Sequence, residues 1–155
     1  LVDAEVVIDV GSNKAGVALF EIKNEKSSYG MECHYNENLG VIAESEGEAK
    51  KTINIKIPKN ARLATFFYVD GGEKRQSIGD IVWVNRQYCE IATEVTTSKN
   101  SDYRFEFRYD HHYERCQTFV SKRTFKTKKP YRHDESLKKF NKGCLKPGAT
   151  DPLPN

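Results

Sequence analysis

The sequence predicts an all-β fold, an antiparallel β-sandwich or flattened barrel of about seven to nine strands with a basic, irregular C-terminal extension. Three observations predict it. Apolar and polar residues alternate with period two through the first 125 residues, the periodicity of strands with one face buried. Turn-forming Gly, Asn and Asp residues punctuate those runs. Four cysteines are spread widely through 155 residues, as in small β-domains held by disulfides.

Taken in order, Ala4 to Val10 and Gly16 to Ile22 read as two strands around Gly11-Ser12-Asn13, an opening hairpin. Lys51 to Ile57 places Ile53, Ile55 and Ile57 on one face, and Pro58 ends the ladder by removing a backbone donor. Leu63 to Val69 is nearly continuous in apolar character, which is the mark of a central strand covered on both faces. Asp70-Gly71-Gly72 then reads as a turn. Trp83, inside Ile81-Val82-Trp83-Val84, reads as core rather than as an exposed binding anchor. Cys89, Ile91, Thr93 and Val95 share one face, as do Tyr103, Phe105, Phe107 and Tyr109, and then Cys116, Thr118 and Val120. Cys89 and Cys116 therefore point inward.

A simple meander of these last three strands sets Tyr109 between the two cysteines and leaves them about 9.6 Å apart across two strand spacings. A bridge needs Cα atoms within about 7 Å. Either each cysteine has another partner, or the connection Thr96 to Asp102 arches between two packed sheets.

The segment from Cys89 to Cys116, with Tyr103-Arg104-Phe105-Glu106-Phe107 between its cysteines, resembles a pattern found in small, largely uncharacterised periplasmic lipoproteins of Gram-negative bacteria. The lipid-attachment cysteine of such proteins is absent from this chain. The resemblance implies a periplasmic β-sandwich without an established activity, and it favours the arch, with Cys89 paired to Cys116 and Cys33 to Cys144.

Composition bounds the rest. One core is expected at this length, and 37% hydrophobic residues with eight Tyr and eight Phe are too many for a disordered chain. The longest apolar run, Leu63 to Val69, is strand-sized and far short of the roughly 18 residues that span a bilayer. The start at Leu1, with no Met and no charged-then-apolar leader, reads as a mature product or as a trimmed chain. No Cys-x-x-Cys pair offers two thiolates to one zinc ion, so no metal and no cofactor is expected. Disulfides place the chain outside the cytoplasm, in a periplasm or secreted. Between Lys122 and Lys142 nine basic residues face Asp134 and Glu135, a net of +7, and since the whole chain carries +3 the remainder carries −4. Residues 1–127 are thus read as the sandwich and 128–155 as the extension docked on it, with helical turns over Glu135 to Asn141.

The candidate sites follow from these segments. His111 and His112, beside Asp110 and Glu114, are the one cluster with residue types for acid-base chemistry, and a secreted ribonuclease would use them. Solvated turn residues look the same. Lys122, Arg123, Lys126, Lys128, Lys129 and Arg132, interleaved with Phe125 and Tyr131, suit a polyanion or a membrane surface, although a lysine-rich edge strand also serves to block aggregation. Asp70 to Glu73 and Glu44 to Glu48 lack the alternating oxygen-ligand spacing of a calcium loop. The expected function is non-catalytic binding of another protein, of inhibitor, immunity or effector type, or of an anionic surface, and nucleic acid is not the expected partner.

Overall fold

The computed structural model describes residues 1–26, 32–46 and 50–140. Ten strands form within them: β1 (Val2–Asp9), β2 (Lys14–Lys26), β3 (Glu32–Glu46), β4 (Lys51–Ile57), β5 (Arg62–Ile78), β6 (Ile81–Thr96), β7 (Ser101–Asp110), β8 (Arg115–Thr124), β9 (Arg132–His133) and β10 (Lys138–Lys139). They make two five-stranded sheets, ordered β4-β1-β7-β8-β9 and β10-β6-β5-β2-β3. The pairs are antiparallel except β1 with β7, which run parallel. This is the all-β sandwich that the alternation predicts.

The sheets close on one core because the inward residues of both are apolar. Val6, Ile8, Phe105, Phe107 and Val120 from the first sheet meet Val17, Leu19, Leu63, Phe67 and Val69 from the second. Phe67 and Phe107 touch across the layers with ring centroids 5.2 Å apart. β5 is central in its sheet, as its continuous apolar run requires, and its other face is also covered: Phe66 and Ala64 join Phe20, Ala18, Ile22 and Phe140 in a second cluster. Phe20 and Phe140 each stand edge-on to Phe66, at 5.1 and 5.6 Å.

The chain passes from one sheet to the other several times, and a disulfide ties the layers as well. Thr97 to Asn100 carries the chain from β6 to β7, and its first residue is a buried knot: Thr97 Oγ1 donates to the Pro58 carbonyl at 2.7 Å and accepts from the Ala61 amide at 3.1 Å. The Tyr103 hydroxyl accepts from the Ser98 amide at 2.7 Å, holding the same corner. The bridge Cys89–Cys116 joins the layers with Cα atoms 5.9 Å apart. Tyr109 lies opposite Cys116 as the meander reading had it, but β6 faces β8 instead of following in one sheet. The Cys33–Cys144 pairing lies outside the described residues.

Three expectations are corrected. β1 and β2 are not a hairpin: they lie in different sheets, and Gly11-Ser12-Asn13 is an arch between them, with Asn13 Nδ2 donating to the Val10 carbonyl at 3.1 Å. Arch and hairpin share the same turn residues and alternation, and only the partners of each strand tell them apart. Asp70-Gly71-Gly72 is not a turn. The ladder shifts register between Asp70 and Gly72, with Gly72 at φ 81°, and continues to Ile78. This is a bulge, and glycine supplies the positive φ that such a kink takes. No helical turns form over Glu135 to Phe140. That stretch instead contributes β10 to the edge of β6, where the Phe140 amide donates to the Ala92 carbonyl at 3.0 Å.

Candidate functional site

The bulge determines where the most exposed apolar surface lies. β2 pairs with β5 only from Arg62 to Asp70, whereas β5 and β6 stay paired from Gly72↔Gln87 out to Ile78↔Ile81. The result is a two-stranded arm of seven residues per strand, roughly 20 Å long at the rise of an extended chain. It turns at Gly79-Asp80, where Gly79 has φ 60°. Every described residue from Gly72 to Asn85 is exposed. At its end Ile78 is 70% exposed, Ile81 58%, Val82 57%, Trp83 56% and Val84 50%.

Trp83 is therefore corrected from core to surface. An apolar run of four usually marks a buried strand, but here it follows a turn that the bulge carries beyond the sandwich. The signal that identifies it is length. If Asp70-Gly71-Gly72 is read as a bulge, Arg62 to Ile78 becomes a strand of 17 residues, about twice the eight of β1, so its far end has no layer to pack against.

The histidine cluster is placed on the β7–β8 turn. The His111 ring stands edge-on to Tyr109 at 4.8 Å, and its Nε2 lies against Gly11, 3.0 Å from where a Cβ there would be. The His112 ring packs on Tyr113 at 4.5 Å. The two imidazoles thus rest on different aromatic rings. Asp110 Oδ1 accepts from the amides of His112 and Tyr113 at 3.0 and 3.2 Å, so this carboxylate caps the turn. Burial first, then the charges of Glu114 and Asp110, push the Tyr109 phenol above its ordinary pKa of 10.0. Among the described residues no group of three His, Cys, Asp or Glu side chains is close enough to hold a metal.

The basic segment divides. Lys122 and Arg132 are cross-strand neighbours on β8 and β9. Arg123 stacks on Tyr131 at 4.4 Å, Arg104 covers the same ring at 4.4 Å, and Asp102 lies 3.7 Å from Arg123. Lys126, Lys128 and Lys129 are exposed on the connection after β8, with Lys126 5.1 Å from the Phe125 ring. Asp70 Oδ1 accepts from the Gly72 amide at 3.0 Å within the bulge.

No family model and no curated protein matches the chain. Solved structures do. The membrane-binding domain of pneumolysin is similar over 75% of this chain and 95% of that one, at 12% identity and a TM-score of 0.34. The human-specific toxin intermedilysin matches over 80% of this chain at 9% identity and a TM-score of 0.35, and listeriolysin O over 79% at 14% and 0.32. The chain spans about a quarter of the whole toxins, 24% and 22%. Overlaps this shallow do not extend to a shared function. Among the described residues no helix is long and apolar enough to cross a membrane.

Proposed function

We propose that the protein is an extracytoplasmic, non-catalytic binding module whose contact element is the end of the β5–β6 arm. The observation that carries this is the exposure of five apolar side chains at the end of the arm, Ile78, Ile81, Val82, Trp83 and Val84, each half exposed or more. Single exposed apolar residues are ordinary, whereas a cluster this dense on a projecting element marks a contact surface. The Cys89–Cys116 bridge supports an oxidising compartment, and the resemblance to periplasmic lipoproteins points the same way. The bridge also fixes the root of the arm, because Cys89 follows directly on the arm's last residues. A contact element held rigidly at its base loses little freedom on binding.

The test is site-specific photo-crosslinking with the purified, oxidised protein in extracts of its own cell envelope. A photoreactive residue at position 83 is expected to give adducts that a photoreactive residue at exposed Asn54, on β4, does not. Equal labelling from both positions, or none from position 83, overturns the reading.

A further inference from the structure

We infer that the end of the β5–β6 arm docks shallowly into the headgroup region of a lipid bilayer containing anionic lipid. This rests on the arm being the contact element and goes beyond it by naming what the arm meets.

Shape argues first. Opposed residues of an antiparallel pair share a face, so Ile78 and Ile81, with Trp83 two residues on, lie on one face of the arm, and Val82 and Val84 on the other. Apolar side chains therefore wrap both faces and the end of a ribbon only two strands wide. A flat protein surface meets one of those faces, two or three side chains, against the roughly 20 to 30 residues that each partner commits to a specific interface. A bilayer closes around whatever enters it and covers all five. Trp83 suits the boundary, since an indole places an apolar ring and one N–H donor at headgroup level.

Charge argues second. Immediately behind the apolar end the chain carries Lys74, Arg75 and Arg86, at the ladder positions Lys74↔Asn85, Arg75↔Val84 and Glu73↔Arg86, against the single carboxylate Glu73. The Arg75 side chain is 70% exposed and its guanidinium lies 3.5 Å from the Glu73 carboxylate, a pair that solvent and lipid phosphates can compete with. These basic positions fall on three successive rungs and outnumber Glu73, so this part of the arm carries net positive charge toward lipid phosphates, and each basic residue near an anionic surface adds to attraction that salt screens.

Two features limit the depth. Among the described residues neither strand of the arm has a second neighbour, so its outward amides and carbonyls remain to be hydrated, which hydrocarbon does not allow. Asp80 sits at the apex beside Gly79. A carboxylate there resists entry below the headgroups. The contact is thus interfacial and reversible, and Asp80 sets how far the arm goes in.

Trp83 is the one tryptophan in the chain, so its fluorescence reads the event directly. The oxidised protein is mixed with large vesicles of phosphatidylcholine alone and of phosphatidylcholine with roughly a third phosphatidylserine, and flotation is measured in parallel. With phosphatidylserine the Trp83 emission shifts to the blue, the protein floats, and binding weakens as salt rises. The double variant Val82→Ser/Val84→Ser, at exposed sites that leave the fold intact, loses at least about tenfold in affinity. Asp80→Asn binds more tightly than the parent.

Absence of both blue shift and flotation overturns the proposal, as does equal binding to the two vesicle types or undiminished binding by the double variant. If vesicles fail while position 83 still crosslinks to a protein, the lipid is wrong and the contact element stands. If position 83 also gives no adduct, both fall.

Discussion

At Tyr109 a single hydroxyl reports how the β7–β8 turn is built. Its ring sits under His111, opposite Cys116, with Asp110 and Glu114 on the same turn. Loss of the proton places a new negative charge in a partly desolvated position near two carboxylates, so the folded state holds the phenol neutral beyond the ordinary 10.0. The sign follows from linkage. Below pH 10 the phenol is neutral in folded and unfolded chains and its contribution is whole; above pH 10 the unfolded chain ionises first, and stability drains away as pH rises through the folded value. Spectrophotometric titration at the phenolate band, compared with Tyr109→Phe, is expected to assign this residue a midpoint above 10. A difference spectrum with its midpoint at or below that value contradicts the environment described. The same residues show what alternation reveals and what it hides: that Tyr109 faces inward is legible from period two, but the engagement of His111 with Gly11 depends on an arch that brings residues 100 apart into contact.

Among elements, the described end of the chain is held far more firmly than its composition suggests. From Tyr131 to Phe140 it pairs first with β8 and then with β6, binding the edges of both sheets. Asp134 Oδ1 accepts from the Ser136 amide and hydroxyl at 2.8 and 2.7 Å, and Ser136 Oγ accepts from the Thr96 amide at 2.9 Å. Lys138 lies 3.8 Å from Glu94, which also accepts from Arg62 at 2.9 Å. Phe140 then fills the second cluster at 2% exposure. Removing that ring leaves a cavity beside Phe66, so Phe140→Ala is expected to cost about 3–5 kcal/mol in urea unfolding, whereas Trp83→Ser on the arm stays within about 0.5 kcal/mol. A loss below about 1 kcal/mol for Phe140→Ala places the segment outside the cooperative unit. A run of lysines at Lys138-Lys139 carries no strand signal, and two-residue strands are formed by the partner's edge rather than by their own sequence. β4 and β7 are legible for the opposite reason, since each turns several apolar residues toward one core face, and β5 is legible from a continuous apolar run covered on both faces. The arm was hidden by glycine, because Asp-Gly-Gly serves equally as a turn or as a bulge and only strand length separates the two.

Across the whole molecule, the two layers are tied at one end by the Thr97 corner and at the other by Cys89–Cys116, where the arm departs. The bridge closes a loop with a sequence separation of 27, which in the chain-entropy picture stabilises the fold by about 3–4 kcal/mol. For a domain of this size, Cys89→Ser/Cys116→Ser is expected to lower Tm by about 10 °C. The loss is not evenly spread. Phe67, Phe105 and Phe107 keep the centre of the sandwich closed without the bridge, but the β6 strand at Cys89 is held to β8 by that bond just where its sheet narrows to the two-stranded arm. Hydrogen exchange should therefore rise first from Val69 to Cys89 in the variant, while Tyr103 to Phe107 keeps its protection. Uniform loss along both segments shows the bridge acting on the unfolded chain alone; an unchanged Tm shows that packing already holds the layers in register. The localised pattern makes the arm's rigidity depend on the bridge staying oxidised, so that exposed Trp83 is presented firmly only while Cys89 and Cys116 remain bonded.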